Sequence, residues 1–215
     1  PPLMRVVIVG ATGNLGTAVL RRLAQEPTPI QVVGLARRLP DPGAGPPYDR
    51  VSWTQADIAA TDATERLTTA FKDADAVIHL AWAIAPSHRV HEQERVNVAG
   101  TRAVVDAMRA AAVPHLVYAS SVGAYAPGPD DRHPVDESWP TTGIAGSAYS
   151  RHNAAVERML DEDGSVPGGP LVTRMRPART FQRDMGSEVK RYFLGRLIPA
   201  SLLRLPVPVV PLPKQ

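Results

Sequence analysis

Residues 5–16 read RVVIVGATGNLG, and this stretch decides the fold of the chain. Its first five residues are mostly apolar and β-branched, which is typical of a strand buried on both faces. Three glycines follow at every third position, at Gly10, Gly13 and Gly16. Apolar side chains then recur every fourth residue, at Leu15, Val19 and Leu23. The stretch therefore predicts a strand, a glycine-rich turn and an amphipathic helix in direct succession.

This glycine turn predicts a site for a dinucleotide. Gly10 permits the tight turn, Gly13 lets the main chain approach a diphosphate, and Gly16 lets the helix pack close to the strand. The diphosphate would meet unpaired amides at the positive end of the helix dipole. A structural turn without a ligand is the alternative. The residues predicted to bind the cofactor here are Gly10, Thr12, Gly13, Asn14, Leu15 and Gly16.

Strand and helix patterns alternate along the rest of the chain. Further strands are predicted at residues 31–35, 51–55, 76–80, 115–119 and 171–175, and further helices at 62–71, 94–112 and 149–161. Asp62 and Glu65 resemble a capping box at the start of the first of these helices. The alternation predicts an α/β fold, a Rossmann-type doubly wound parallel sheet with right-handed crossovers.

Composition narrows the class of protein. The 215 residues are 44% hydrophobic and 21% charged, as expected of one large globular domain. The absence of cysteine excludes disulfides and thiolate chemistry, and we expect a cytoplasmic protein without a signal peptide. No apolar run reaches about 18 residues, so we expect no membrane association. The net charge is only +3 and the basic residues are scattered, so we expect no nucleic-acid partner.

The end of the second predicted strand bears on the choice of cofactor. An acidic residue there usually binds the ribose 2′-hydroxyl of NAD. This chain has Arg37 and Arg38 instead, and an arginine can pair with a 2′-phosphate. The pattern favours NADP over NAD. Two alternatives stay open: Asp41 serves an NAD site, or the arginines form a solvated basic turn.

Several motifs occur in the order found in one protein family. They are Asp57-Ile58, IHLAW at 78–82, NVAGT at 97–101, VYASSVGAYAP at 117–127, VDESWP at 135–140, AYSRHN at 148–153 and RMRPART at 174–180. With the glycine turn they make the chain resemble the extended short-chain dehydrogenases/reductases, the NAD(P)-dependent epimerase/dehydratase family. The resemblance covers residues 4–181.

The resemblance implies roles for particular residues and regions. It places Asp57 and Ile58 beside the adenine, and Leu80, Ala81 and Trp82 along the cofactor cleft. Asn97 would support the active site, and Pro177 would lie at the nicotinamide end. Residues 4–180 would form the NAD(P)-binding Rossmann domain, and residues 181–215 would begin a small, incomplete C-terminal substrate lobe. It also implies a small-molecule substrate, a nucleotide sugar or a polyketide-like ketone, and a homodimer built on helices 94–112 and 149–161.

The same resemblance implies a catalytic serine and tyrosine. Ser121 follows the fifth strand, where α/β sheets bind ligands, and Tyr149 begins the next helix. Matching Tyr125 to the family's serine-rich segment selects Ser121 over Ser120. The family places a lysine four residues after the tyrosine, on the same helix face, where its charge stabilises the phenolate. Here that position is Asn153, an amide without charge that can still bond the nicotinamide ribose.

Three interpretations of Asn153 stay open. The chain is a slow or redirected oxidoreductase or epimerase/dehydratase acting on a carbonyl or secondary alcohol, or a cofactor-binding pseudoenzyme that acts as a sensor or partner-binding module. Alternatively, Asn153 is an engineered change or a natural variant whose chemistry relies on another group. His152 is the nearest substitute acid or base, although we expect a partly exposed helix histidine. We expect core packing for His79, and a solvated helix face rather than a metal cluster for His88 and His91.

Overall fold

The computed structural model describes residues 3–84, 89–131, 133–164, 168–178 and 180. Within them the strands are β1 (Met4–Val9), β2 (Ile30–Ala36), β3 (Ser52–Gln55), β4 (Ala76–His79), β5 (His115–Ala119) and β6 (Leu171–Met175). The helices are α1 (Asn14–Leu23), α2 (Ala63–Phe71), α3 (Val90–Glu94), α4 (Gly100–Ala110) and α5 (Ala148–Gly164). A π-helical turn, Arg95–Ala99, joins α3 to α4 without a break. None of these helices has the length and apolar character needed to cross a membrane.

The described strands form one parallel sheet in the order β3-β2-β1-β4-β5-β6. In the register of the central strands, Val9 of β1 lies between Leu35 of β2 and His79 of β4. The direction of winding reverses between β1 and β4, and a sheet of this kind binds ligands beyond the carboxyl ends of its strands at that point. The sheet confirms the predicted Rossmann-type α/β fold.

Alternate residues of β1 face the two sides of the sheet. Val7 and Val9 belong to the larger apolar cluster, which includes Phe71 of α2, Met108 of α4 and Leu160 of α5. On the opposite face, Val6 and Ile8 pack with Leu20 of α1. Both faces of β1 are therefore covered, which explains its continuous apolar sequence.

Two local predictions need correction. Helix α2 begins where Asp62 predicted, but the Asp62 carboxylate accepts a hydrogen bond from Arg66 Nε at 2.5 Å and does not cap the helix. The helix predicted at residues 94–112 begins earlier, at Val90, and its α-helical part ends at Ala110. The predicted lobe at 181–215 and the histidine at position 88 lie outside the described residues.

Candidate cofactor and catalytic site

Two of the three loop glycines are required by close packing of the main chain. Gly10 has a φ of +88°, and a Cβ there would lie 2.7 Å from the amide nitrogen of Ala81. A Cβ at Gly16 would overlap the carbonyl oxygen of Gly10. The turn after β1 therefore lies directly against the segment after β4, and α1 packs directly on the turn.

Gly13 has a different environment. Its φ of −76° suits any residue, and a Cβ there would meet one nearby atom, the Gly10 carbonyl oxygen at 3.2 Å. The amide of Thr17 donates to the Gly13 carbonyl at 2.9 Å, so the amides before Thr17 precede the helical hydrogen-bond ladder. The first turn of α1 is uncharged: Asn14, Leu15, Gly16 and Thr17. This open helix start fits the diphosphate of a dinucleotide.

The segments after β2 and β3 lie next to each other. The carbonyl of Arg37 accepts a hydrogen bond from Gln55 Nε2 at 2.9 Å, while both Arg37 and Arg38 are exposed. Asp57 is also exposed, and its carboxylate accepts the amide of Ala59 at 3.0 Å. Ile58 is buried against Gly100 of α4. Two guanidinium groups are therefore available to an anion beyond the carboxyl ends of β2 and β3.

Asn97 fixes the segment after β4. It lies in the π-helical turn and is 1% exposed. Its Oδ1 accepts the amide of Ala83 at 2.7 Å, and its Nδ2 donates to the Ala83 carbonyl at 3.1 Å. Leu80 is fixed by its own amide, which donates to Val9 at 2.8 Å. The partly buried Ala81 and Trp82 lie between these two anchors.

A buried polar chain connects Asn97 to the sheet. Thr101 donates its hydroxyl proton to the Asn97 carbonyl at 2.6 Å, and His79 Nε2 lies 3.0 Å from the same hydroxyl oxygen. Because the Thr101 hydroxyl proton is donated to Asn97, His79 Nε2 must be the donor in the second bond. This assigns the neutral tautomer with its proton on Nε2. Burial lowers the pKa of His79 to about 4. His79 is a fully buried core residue, as predicted.

Ser121 and Tyr149 border the same small space. The Ser121 Oγ accepts the amide of Gly123 at 3.0 Å, in a short 3-10 turn at Val122–Ala124. A Cβ at Gly123 would lie 2.9 Å from Tyr149 Cε1 and 3.4 Å from Ser121 Oγ. Tyr149 is 38% exposed, and its ring meets Trp82 edge-on with centroids 6.2 Å apart. The two side chains therefore lie within reach of one small group.

Asn153 and His152 are both buried beside this pair. Asn153 is 1% exposed and its Nδ2 donates to the main-chain carbonyl of Tyr149 at 2.8 Å. His152 is 5% exposed, so the prediction of a partly exposed histidine is wrong. The reason is that its helix face meets Asn97, whose Nδ2 lies 3.5 Å from His152 Nδ1. Burial lowers the pKa of His152 despite the nearby Glu94.

The sequence interpretation missed a buried ionic cluster centred on Glu157. This carboxylate, fully buried in α5, contacts Ser120 Oγ at 2.6 Å, Arg174 at 3.1 Å and Arg176 through two bonds of 2.8 and 3.0 Å. Burial opposes ionisation, but the bonds from Arg176 and Ser120 prevail and lower the pKa of Glu157. The cluster directs Ser120 toward α5.

A signal for this cluster is present in the sequence. Arg174 and Arg176 are two residues apart at the end of a strand and so share a face, which predicts a nearby carboxylate partner. Arg176 also donates to the Tyr125 hydroxyl at 3.0 Å, and Val122 donates its amide to the Pro177 carbonyl at 3.2 Å. The ionic cluster thus anchors Pro177 against the turn that follows Ser121.

The strand order, with a glycine turn at the reversal point, defines a Rossmann-type dinucleotide-binding fold. The chain belongs to the NAD dependent epimerase/dehydratase family, whose sequence profile matches residues 6–165.

Relatives of this chain include enzymes with different substrates. It is 29% identical over 182 residues to sterol-4-alpha-carboxylate 3-dehydrogenase (decarboxylating) of Saccharomyces cerevisiae, covering 82% of this chain and 51% of that protein. It is 28% identical over 167 residues to UDP-glucose 4-epimerase of Streptomyces lividans, covering 76% and 49%. The chain thus spans about half the length of these relatives.

A solved structure supports the same assignment. UDP-glucose 4-epimerase from Stenotrophomonas maltophila, with bound NAD and formylated UDP-arabinopyranose, superposes with a TM-score of 0.67 at 26% identity. The match covers 80% of this chain and 52% of that one.

Proposed function

We propose that this chain is the cofactor-binding part of an NAD(P)-dependent oxidoreductase or epimerase/dehydratase that acts on a carbonyl or secondary alcohol. The observation that carries the proposal is a continuous series of contacts from the glycine turn to the serine–tyrosine pair. Gly10 lies against Ala81, and the adjacent Trp82 contacts Tyr149, which borders the same space as Ser121. A cofactor on the turn would therefore extend toward both hydroxyl groups.

A bound nicotinamide dinucleotide supplies the hydride donor or acceptor for such a reaction. The turn and first helical residues would bind its diphosphate, and Asp57 and Ile58 would flank its adenine. The residues proposed for its nicotinamide half are Leu80, Ala81, Trp82, Asn97, Tyr149, Asn153 and Pro177. The exposed Arg37 and Arg38 favour NADP, while NAD in the similar epimerase structure keeps NAD as the alternative.

Ser121 and Tyr149 would act on one substrate oxygen. Because Ser121 Oγ accepts the amide of Gly123, its own proton is free to bond that oxygen. The hydroxyl of Tyr149, a residue that is 38% exposed, would exchange a proton with it. Asn97 would keep the segment after β4 in place through its two bonds to Ala83.

Asn153 favours a second candidate, a cofactor-binding pseudoenzyme that acts as a sensor or partner-binding module. Its amide is buried and bonded to the Tyr149 carbonyl, and it brings no positive charge to the phenol. The two candidates differ in whether a cation at position 153 restores hydride transfer.

We also propose a homodimer. The surfaces of α3, the π-helical turn, α4 and α5 border a groove of about 610 Å³, lined by His91, Glu94, Arg95, Val98, Ala99, Arg102 and Met159. Its combination of apolar and charged residues is typical of an interface with an apolar centre and a polar rim.

Calorimetric titration of NAD and NADP tests cofactor binding. Gly13→Val should lower affinity at least about tenfold, because the added side chain blocks the diphosphate while its φ stays allowed. Gly164→Ala, at the far end of α5 in open space, should bind like the parent chain. Arg37→Ala or Arg38→Ala should reduce the preference for NADP.

Two results would contradict the proposal. One is folded parent chain with no measurable affinity for either nucleotide, and the other is unchanged affinity in Gly13→Val.

A further inference from the structure

Three segments next to the serine–tyrosine pair carry large apolar side chains that are open to solvent. Ile84, Val122 and Ile144 are 53%, 48% and 47% exposed, and together we name them the apolar rim. Exposed apolar surface beside a cleft is typical of a site that binds an apolar ligand. Their positions relative to Ser121 and Tyr149 follow from the main-chain hydrogen bonds around them.

Val122 and Ile144 are held on two sides of Gly123. Val122 directly follows Ser121, and its amide donates to the Pro177 carbonyl at 3.2 Å. The amide of Ile144 donates to Ser150 Oγ at 2.7 Å, and that hydroxyl in turn donates to the Gly123 carbonyl. Gly123 is the residue on which the Tyr149 ring rests. The main chain of both aliphatic residues is therefore held close to Gly123, beside the Ser121 and Tyr149 side chains.

Ile84 lies in the segment after β4, close in the chain to the contact with Tyr149. It follows Ala83, which Asn97 holds by two hydrogen bonds, and lies two residues after Trp82, whose ring meets Tyr149. Three separate segments thus contribute one aliphatic residue each. Because hydrogen bonds hold the main chain of each segment, the apolar rim has a defined place beside the serine–tyrosine pair.

We infer that the part of the substrate next to the reacting carbon is an apolar ring or chain, and not a polyhydroxylated sugar. The inference rests on the proposed function. Aliphatic side chains offer no hydrogen bond, so each sugar hydroxyl buried against them loses its water without replacement, at a cost of about tenfold in affinity. Methylene groups gain affinity by leaving water at the same place.

A matched pair of ring ketones tests the inference directly. 4-tert-Butylcyclohexanone and pentahydroxycyclohexanone share the reacting carbonyl and the six-membered ring, and differ in polarity. Their dissociation constants are measured by calorimetry on the full chain at a saturating concentration of nucleotide. We expect the alkyl ketone to bind at least about tenfold more tightly.

Variants of the rim locate the effect. Val122→Asn and Ile144→Asn should each weaken alkyl-ketone binding about five- to tenfold, by replacing apolar contact with a hydrated amide. Leu171→Asn is the control. Leu171 is 67% exposed, but it is the first residue of β6 and so lies at the amino-terminal ends of the strands, away from the site at their carboxyl ends. If an Asn variant does not fold, Val122→Thr and Ile144→Thr, which keep the side-chain volume closer, replace it.

The outcomes separate the two proposals. Three outcomes would overturn the apolar-substrate inference but leave the proposed function standing. They are equal or tighter binding of the hydroxylated ketone, rim variants that behave like Leu171→Asn, and nucleotide binding without binding of either ketone. Failure to bind any nucleotide would overturn the proposed function.

Discussion

Asn153 is the residue on which the proposed catalytic activity depends most. Its side chain forms a hydrogen bond within α5, to the carbonyl of Tyr149 one turn earlier, and is almost fully buried. A phenol needs a nearby cation to ionise near neutral pH, because its ordinary pKa is about 10. The structure thus explains how position 153 tolerates an amide and shows that this amide supplies no charge.

Asn153→Lys is therefore expected to raise the rate of hydride transfer. A cation one helical turn from Tyr149 should stabilise its phenolate and raise the rate at pH 7 by about tenfold or more. Turnover is measured by nicotinamide absorbance with a panel of ketones. Asn153→Met is the control, because methionine is similar to lysine in length but carries no charge.

The comparison of these two variants decides between enzyme and pseudoenzyme. A folded, cofactor-binding Lys variant that is no faster than the Met variant would support the sensor or partner-binding candidate.

His79 makes the stability of the fold depend on pH. Its folded pKa is lowered by burial to about 4, from an ordinary value of 6.5. Between these values the unfolded chain binds more protons, so stability is complete above 6.5 and is lost as the pH falls toward 4, by up to about 3 kcal/mol. In His79→Gln this pH dependence should be weaker.

Urea unfolding at pH 7 and pH 4.5 measures the effect. The difference in free energy of unfolding between the parent chain and His79→Gln should shrink at the lower pH. His91→Gln, at an exposed position, should follow the parent chain at both values. An equal difference at the two pH values would show that His79 does not titrate as proposed.

At the scale of elements, the π-helical turn between α3 and α4 positions the site. The Asn97 side chain in this turn accepts the amide of Ala83, and the Asn97 main-chain carbonyl accepts the Thr101 hydroxyl. Asn97→Ala should lower the free energy of unfolding by about 2 kcal/mol, because the partly buried amide and carbonyl of Ala83 lose their bonds.

Hydrogen exchange provides the more specific measurement for this variant. The Ala83 amide should exchange at least about tenfold faster in Asn97→Ala, whereas Arg95→Ala, exposed in the same turn, should leave it unchanged. Equal exchange rates of this amide in the two variants would contradict the positioning role of Asn97.

Sequence reasoning succeeded where a pattern is local. Strands β5 and β6 were predicted to the residue, because each is a short apolar run that begins after a proline. The start of α3 was missed because the extra residue of a π-helical turn shifts the apolar stripe and breaks its period. The burial of His152 depends on Asn97, 55 positions away, and no local pattern contains that contact.

At the scale of the whole molecule, the parallel sheet brings distant residues to one edge. The turn after β1, the segment after β4 and the turn after β5 all follow carboxyl ends of neighbouring strands. Residues more than 100 positions apart, such as Gly10 and Ser121, therefore lie at the same edge of the sheet. The family of the chain and the order of its motifs were predictable from the sequence. The apolar rim was not, because its three residues come together only in the folded chain.

The proposed homodimer gives the last prediction. Ala99 is exposed in the groove of α3, α4 and α5, so Ala99→Arg adds a bulky cation there, next to Arg95, without entering the core. Like-charge crowding and the desolvation of an unpaired cation should weaken dimerisation at least about a hundredfold. Sedimentation equilibrium measures the association constant, with Ala110→Arg, exposed at the end of α4, as the control. A parent chain that is monomeric at every concentration, or equal association of the two variants, would exclude this groove as the interface.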